Sequence, residues 1–129
     1  MRHRIIDLVA ELSGMFNEVP SLTFAGPIDL MIGSDLLDDL EAVVREGLSN
    51  VARHAGASRV TVVVSVANGS VRVEITDDGV GPDPGAVGVS SGTSNLAQRA
   101  RARGGIFELS ANQPTGTMLE WTAPIGGTA

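Results

Sequence analysis

The chain has 129 residues, 43% of them hydrophobic and 19% charged, which indicates one globular domain and excludes a wholly disordered chain. The formal net charge of -6 argues against nucleic acid as the main partner, and the lack of cysteine excludes disulfides and thiolate-bound metals. No apolar run approaches the roughly 18 residues of a membrane span, and the start lacks a signal-peptide core, so we expect a cytoplasmic domain without membrane contact.

The first half of the chain predicts two helices with a strand between them. Apolar residues at helical spacing over 4–16 predict the first helix. The chain starts as if inside a helix, so we expect it to be part of a longer protein. Residues 21–25 predict a short strand. A long helix then begins, with Ser34 as the expected N-cap, and ends at Gly56.

The second half predicts a hairpin, a glycine-rich loop, a short helix and a closing pair of strands. Two β-branched runs around residues 68–69 predict the hairpin. Five glycines and two prolines in residues 77–92 predict a loop, which we expect to be mobile. A helix is predicted over 95–103, and strands over 106–111 and 118–123. This order predicts an α+β two-layer sandwich, a mixed sheet covered on one face by helices.

Polar residues interrupt the apolar pattern of the long helix. Glu46, Asn50 and, roughly, Arg53 and His54 share one helical face, because residues four and seven apart are neighbours on a helix. Taken alone, such a stripe is typical of a solvated face. Gly47 argues for more, because a glycine inside a helix costs about 1 kcal/mol relative to alanine. We therefore expect something to approach that surface closely.

A short glycine motif, Asp77-x-Gly79-x-Gly81, follows the hairpin and by itself is typical of a turn. The chain lacks the Gly-Lys-Ser/Thr of a P-loop, and its glycine spacing does not fit the dinucleotide-binding fingerprint. Residues 92–94 precede a predicted helix, whose first N–H groups are a natural phosphate site. Residues 116–117, Gly-Thr, would alone be a hairpin turn.

The order and spacing of these pieces are more specific than any one of them. Together they resemble the ATPase fold shared by histidine kinases, DNA gyrase, Hsp90 and MutL, over about residues 20–125. The run Glu-Gly-Leu-Ser-Asn-Val-Ala-Arg-His-Ala at 46–55 and the short interval from Gly81 to Gly92 resemble kinases that pair with NarL-type response regulators. The sequence of this segment is also similar to that of the mycobacterial kinases DevS (DosS) and DosT. The resemblance implies an ATP-binding domain over 20–129, preceded over 1–19 by the end of a helix or linker.

The resemblance also implies roles for the matching residues. Asn50 is implied to coordinate Mg²⁺ on the ATP phosphates, and Glu46 to polarise the attacking group or a water. Asp77 is implied to accept a hydrogen bond from the adenine amino group, and Thr117 to support the adenine beside it. The remaining implied contacts, to phosphates, base and sugar, are Arg53, His54, Gly79, Gly81, Gly92, Thr93 and Ser94.

Two departures limit what the resemblance implies. Ser90 stands where related kinases often have the first glycine of a Gly-x-Gly before the phosphate-binding helix, which implies a stiffer loop and weaker nucleotide affinity. His3 lacks the acidic neighbour typical of a phosphoacceptor histidine. The implied activity is therefore transfer of the γ-phosphoryl group of Mg-ATP to a histidine on a separate dimerisation domain, and from there to a response regulator.

Two other hypotheses stay open at the level of sequence. The same fold serves in anti-sigma-factor serine kinases, although the Arg53-His54 pair and the short loop count against that class. A nucleotide-free interaction module with a degenerate site is supported only by Ser90 and the prolines of the loop.

Overall fold

The computed structural model describes six segments of the chain, residues 2–16, 18–26, 32–54, 59–79, 91–111 and 116–125. Its helices are α1 (Arg2–Leu12), α2 (Ser34–His54) and α3 (Ser91–Ala102), with a 3-10 turn at Ser13–Met15. Its strands are β1 (Ser21–Ala25), β2 (Val60–Ala67), β3 (Ser70–Asp77), β4 (Ile106–Ala111) and β5 (Thr117–Pro124). Within these segments no helix combines the length and apolar character that crossing a membrane requires.

The five strands form one mixed sheet in the order β1-β2-β3-β5-β4. β1 runs parallel to β2, and the other neighbouring strands are antiparallel. In this order β5 lies between β3 and β4. Alternate strand residues face the helices, and one such row crosses all five strands through Phe24, Val64, Val73, Trp121 and Phe107. The predicted α+β sandwich is confirmed.

The hairpin of β2 and β3 is confirmed at the predicted turn. Asn68 and Gly69 have φ angles of 54° and 77°, the positive values that a two-residue type I′ turn requires. The turn sets the register, so that Val62, Val64 and Val66 face the helices together with the apolar residues of β3.

Helix α1 packs along α2 and belongs to the hydrophobic core. Its buried side chains recur at helical spacing and are Ile5, Leu8, Val9 and Leu12. Exposed ion pairs flank the contact, Arg4 with Asp38 at 3.1 Å and Arg45 with Glu11 at 3.0 Å, and each contributes at most about 1 kcal/mol. The proposed division of the chain after residue 19 stays a prediction, although α1 shares the core of the sheet.

Helix α2 begins one residue differently from the prediction. The Leu37 N–H donates to the Gly33 carbonyl at 2.9 Å, so Gly33 occupies the N-cap and Ser34 is the first helical residue. Glycine is tolerated at an N-cap almost as well as serine, which explains why the residue types did not distinguish the two positions. The helix extends to His54, the last described residue of this segment. The predicted end at Gly56 lies outside the described residues.

Helix α3 begins at Ser91, four residues before the predicted start. Its end is a Schellman motif, in which Gly104 has a φ of 74° and the N–H groups of Gly104 and Gly105 donate to Arg101 and Ala100 at 3.1 and 2.7 Å. The closing strands are confirmed, with β5 one residue longer at each end than predicted. Most of the predicted mobile loop, residues 80–90, lies outside the described residues.

Candidate functional site

Asp77 is the one charged side chain that is buried among the described residues, with 3% of its surface exposed. It lies at the end of β3, where its Oδ1 accepts the Gly79 N–H at 2.8 Å and its carboxylate also accepts the Thr117 N–H. Burial raises the pKa of the Asp77 carboxyl, because the charged form is desolvated, and the nearby Asp78 adds to this; the two backbone N–H groups act in the opposite direction. The fold therefore holds a hydrogen-bond acceptor at the edge of the core.

Thr117 and Gly116 hold the backbone around Asp77. Thr117 is paired with Asp77 across β3 and β5, so the predicted neighbours in the site are neighbours in the sheet. Gly116 has a φ of 112°, and a Cβ built on it would lie 1.8 Å from the Asp77 carbonyl oxygen. Only glycine fits there, because both the backbone angle and the space exclude a side chain.

Asp78 is a residue whose role the sequence analysis missed. Its Oδ1 accepts the Arg59 N–H at 2.9 Å, and its own N–H donates to the Arg59 carbonyl at 3.3 Å. This reciprocal pair joins the end of β3 to the start of β2 and fixes the point at which the chain leaves the sheet. The doubled acid after a strand was the only signal in the sequence, and it does not reveal the distant partner.

Gly47 explains how close helix α2 comes to this edge of the sheet. A Cβ on Gly47 would lie 2.4 Å from Ile75 Cδ1 and 3.6 Å from Leu119 Cδ1. Something was expected to approach this surface, and among the described residues it is the sheet. Ile75 and Leu119 each lie two residues along their strands from Asp77 and Thr117, so the glycine brings α2 onto the strand ends that carry the site.

Glu46 and Asn50 are half-buried on α2, one turn apart on the same face. Glu46 Oε2 is buried and has no hydrogen-bond partner within the described segments. A buried carboxylate oxygen without a partner is costly, so its environment suits an incoming donor, a water or a cation. Polar groups therefore lie on both of the surfaces that Gly47 brings together. Glu46 and Asn50 lie on α2, and Asp77 and Thr117 lie at the strand ends.

The other predicted residues are located only in part. Gly92, Thr93 and Ser94 form the first turn of α3 rather than preceding it, because the helix begins at Ser91. Arg53 and His54 lie in the last turn of α2, and their side chains are outside the described part of the structure. Gly81 and Ser90 lie outside the described residues. The structure therefore describes the backbone, but not the side chains, of the residues that were predicted to contact phosphates at the two helix ends, the last turn of α2 and the first turn of α3.

The side-chain oxygens of Asn50 and Glu46 are suitable ligands for a magnesium ion that also binds a phosphate. Across the described part of the chain, no cluster of three or more His, Cys, Asp or Glu side chains could hold a metal by itself. Mg²⁺ is commonly held by one or two side-chain oxygens together with substrate phosphates and water. The Asn50 amide and the unpartnered Glu46 carboxylate oxygen fit that pattern.

The chain is similar to known proteins in sequence and in fold. Residues 29–107 match the family described as "Histidine kinase-like ATPase domain". The chain is 37% identical over 98 residues to the sensor histidine kinase LiaS of Bacillus subtilis, covering 75% of this chain and 27% of LiaS. It is 31% identical over 121 residues to the sensor histidine kinase YxjM of the same organism, covering 94% and 29%.

The fold is also that of a solved kinase domain. The histidine kinase domain of the Erythrobacter litoralis EL346 blue-light activated histidine kinase superposes with a TM-score of 0.77 at 19% identity, covering 94% of this chain and 59% of that one. The chain spans less than a third of the length of LiaS and YxjM.

Proposed function

The chain belongs to the histidine kinase-like ATPase domain family, and we propose that it is the catalytic domain of a sensor histidine kinase and binds Mg-ATP between α2 and the strand ends that carry Asp77 and Thr117. The observation that carries the proposal is the buried carboxylate of Asp77. A charged carboxylate only accepts hydrogen bonds, and the adenine amino group is a donor. Guanine presents a carbonyl oxygen at the same position of its ring, so this residue favours adenine.

The phosphate end of the proposed site is built from α2 and α3. Asn50 supplies one oxygen to Mg²⁺, and the first turn of α3, with Gly92, Thr93 and Ser94, presents backbone N–H groups to the phosphates. When bound, Mg²⁺ neutralises charge on the transferred phosphoryl group. Arg53 and His54 are proposed to add local positive charge, which a protein of net charge -6 needs in order to hold a polyanion.

Glu46 is proposed to orient the attacking group. Its unpartnered, buried oxygen is suited to accept a proton or a hydrogen bond from a nucleophile at the γ-phosphate. In the proposed reaction a histidine nitrogen of a dimerisation domain forms a bond to the γ-phosphorus as the bond to the β-phosphate oxygen breaks, which yields phosphohistidine and ADP. Catalysis then consists mainly of positioning and charge neutralisation.

The finer class of kinase is also part of the proposal. The Arg53-His54 pair and the short loop before Gly92 support the type that phosphorylates a NarL-type response regulator, with DevS and DosT as the resembling sequences. Because ATP is an intracellular metabolite, we assign the domain to the cytoplasm.

Titration calorimetry with Mg-ATP, Mg-GTP and adenosine tests the nucleotide site. We expect Mg-ATP to bind and GTP to bind far more weakly, Asp77→Asn to abolish that preference, and Asn50→Ala to weaken ATP while sparing adenosine. Asp35→Asn, an exposed carboxylate in the first turn of α2, is the control and should bind ATP as the unmodified chain does. Absence of ATP binding, or binding unchanged by both Asp77→Asn and Asn50→Ala, would overturn the proposal.

A further inference from the structure

Helix α3 is held by a narrow apolar face. Over 95–102, where its side chains are described, the buried ones are Leu96 and Ala100, four residues apart. A globular helix usually buries three to four apolar residues in every two turns. The position of α3 therefore depends strongly on the polar contacts that it makes with α2 and β5.

One carboxylate on α2 receives two of these contacts. Asp39 Oδ1 accepts an N–H of Arg99 Nη1 at 3.0 Å, and Asp39 Oδ2 accepts the Nε–H of Arg103, the residue that directly follows α3. Only 23% of the Asp39 side chain is exposed, so its two ion pairs are less screened by water than surface pairs. Its neighbour Asp38 is 67% exposed and pairs with Arg4 of α1 instead.

A third contact comes from the sheet. Trp121 of β5 is fully buried and donates its Nε1–H to the Leu96 carbonyl of α3 at 3.2 Å. Trp121 shares the helix-facing side of β5 with Thr117, which is paired with Asp77. The body of α3 is thereby tied to the strand that carries the adenine end of the proposed site.

We propose that Asp39 is a positioning residue, which sets the direction of α3 and so places the first turn of α3 against the ATP phosphates. This inference rests on the proposed function of that first turn. A helix is a rigid rod with a rise of about 1.5 Å per residue, so the anchor at Arg99 acts on Gly92 over about 10 Å. A tilt at the anchored end moves the phosphate-binding end.

The place of Asp39 on α2 supports this role. Glu46 follows it by seven residues and Asn50 by eleven, so all three lie within about 20° of one line along the helix. One edge of α2 thus contributes Glu46 and Asn50 directly and holds the opposite wall, α3, through Asp39. The two walls of the phosphate end share one rigid element.

The nucleotide test compares Asp39→Ala with Asp38→Ala, which removes the same charge from the same helix but breaks an ion pair to α1. We expect Asp39→Ala to weaken Mg-ATP about tenfold while adenosine binding changes little, since misplacement of a binding group by a fraction of a helix turn costs that much or more. Asp38→Ala should leave the ratio of ATP to adenosine affinity unchanged, and Asp39→Glu should restore most of the ATP affinity.

The sign of the effect separates positioning from charge. Loss of a negative charge, and release of two arginines, would by themselves strengthen the binding of a polyanion. Weaker ATP binding in Asp39→Ala therefore indicates displacement of α3. Equal weakening of ATP and adenosine would indicate a general loss of structure and would overturn the positioning role. Asp39→Asn, which keeps the side-chain volume, repeats the comparison in a variant that perturbs folding less.

A second measurement needs no nucleotide. Trp121 is the only tryptophan, so its fluorescence reports on the contact with α3. We expect acrylamide to quench Trp121 more in Asp39→Ala than in Asp38→Ala. Quenching equal in both would overturn the anchor whether or not ATP binds. If the unmodified chain binds no ATP, the proposed function fails, and the anchor is decided by this signal alone.

Discussion

Asp77 combines a burial cost with a proposed binding role, and the burial predicts how stability depends on pH. Its pKa is raised in the folded state, so the folded state binds the proton more tightly than the unfolded state does. Stability should therefore fall as pH rises from the unfolded pKa through the folded pKa, and the loss should persist above it. Asp77→Asn cannot ionise and can still accept the Gly79 N–H. We therefore expect its stability relative to that of the parent to increase as the pH rises from acid to neutral.

Urea unfolding of both proteins over a pH series measures this difference. Glu18→Gln, an exposed carboxylate outside the helices and strands, should follow the parent at every pH. A stability difference between Asp77→Asn and the parent that is independent of pH, or that changes in the opposite direction, would contradict the assignment of burial as the dominant cause of the raised pKa.

Gly116 predicts a steric effect that can be separated from the backbone effect. Gly116→Ala must both adopt a φ of 112° and displace the Asp77 carbonyl, so we expect a loss of about 3 kcal/mol or more and no nucleotide binding. Gly69→Ala and Gly104→Ala share the positive φ, but their Cβ atoms would meet nothing within 4 Å. These controls should lose only about 1–2 kcal/mol in thermal or urea unfolding. Equal losses at all three positions would show that the contact with Asp77 is unimportant.

At the scale of elements, the contact between α2 and β3 predicts a coupling between Gly47 and Ile75. Gly47→Ala gains about 1 kcal/mol of helix propensity but forces Ile75 Cδ1 to move within a close-packed core, so we expect a net loss of about 1 kcal/mol. Ile75→Val removes the obstructing methyl group. In that background Gly47→Ala should be neutral or stabilising, and a double-mutant cycle by urea unfolding measures the coupling. Purely additive effects would contradict the close approach.

The elements that the sequence predicted well are those with a local cause. Alternation and the Asn68-Gly69 turn specified the hairpin, and apolar spacing specified α2 and most of α1, which ends at Leu12 rather than at the predicted residue 16 because a 3-10 turn follows. The start of α3 was missed by four residues, because Ser91 to Ser94 are poor helix formers whose type favours loops. The N-cap of α2 was misplaced because glycine and serine are both suited to that position.

At the scale of the whole molecule, α1 completes the core rather than merely preceding it. Removal of residues 1–19 would expose the apolar surface of α2 that Ile5, Leu8 and Leu12 cover. Each buried side chain of this kind contributes about 1.5–3 kcal/mol, so we expect the truncated chain to lose about 5 kcal/mol or to aggregate. Circular dichroism during urea unfolding measures this. A truncated chain as stable as the parent would show that residues 1–19 act as a linker.

Long-range contacts set the limit of what the sequence could predict. Glu46, Asn50, Asp77 and Thr117 were proposed as site residues because their order resembles a known family, and no periodicity in the chain links α2 to β5. The Asp39–Arg99 and Asp78–Arg59 contacts join residues far apart in the chain, and their residue types are common on any surface. Only the folded arrangement distinguishes Asp39 from the adjacent Asp38.

The central position of the last strand has a consequence for biosynthesis. β5 is synthesised after the other four strands, yet it lies between β3 and β4 and brings Thr117 to Asp77. Translation proceeds at about 5–20 residues per second, and until β5 has left the ribosome the nascent chain has an unpaired β3 edge and lacks the adenine end of the proposed site. A product that terminates before β5 would lack Thr117, so we expect it not to bind ATP at the proposed site.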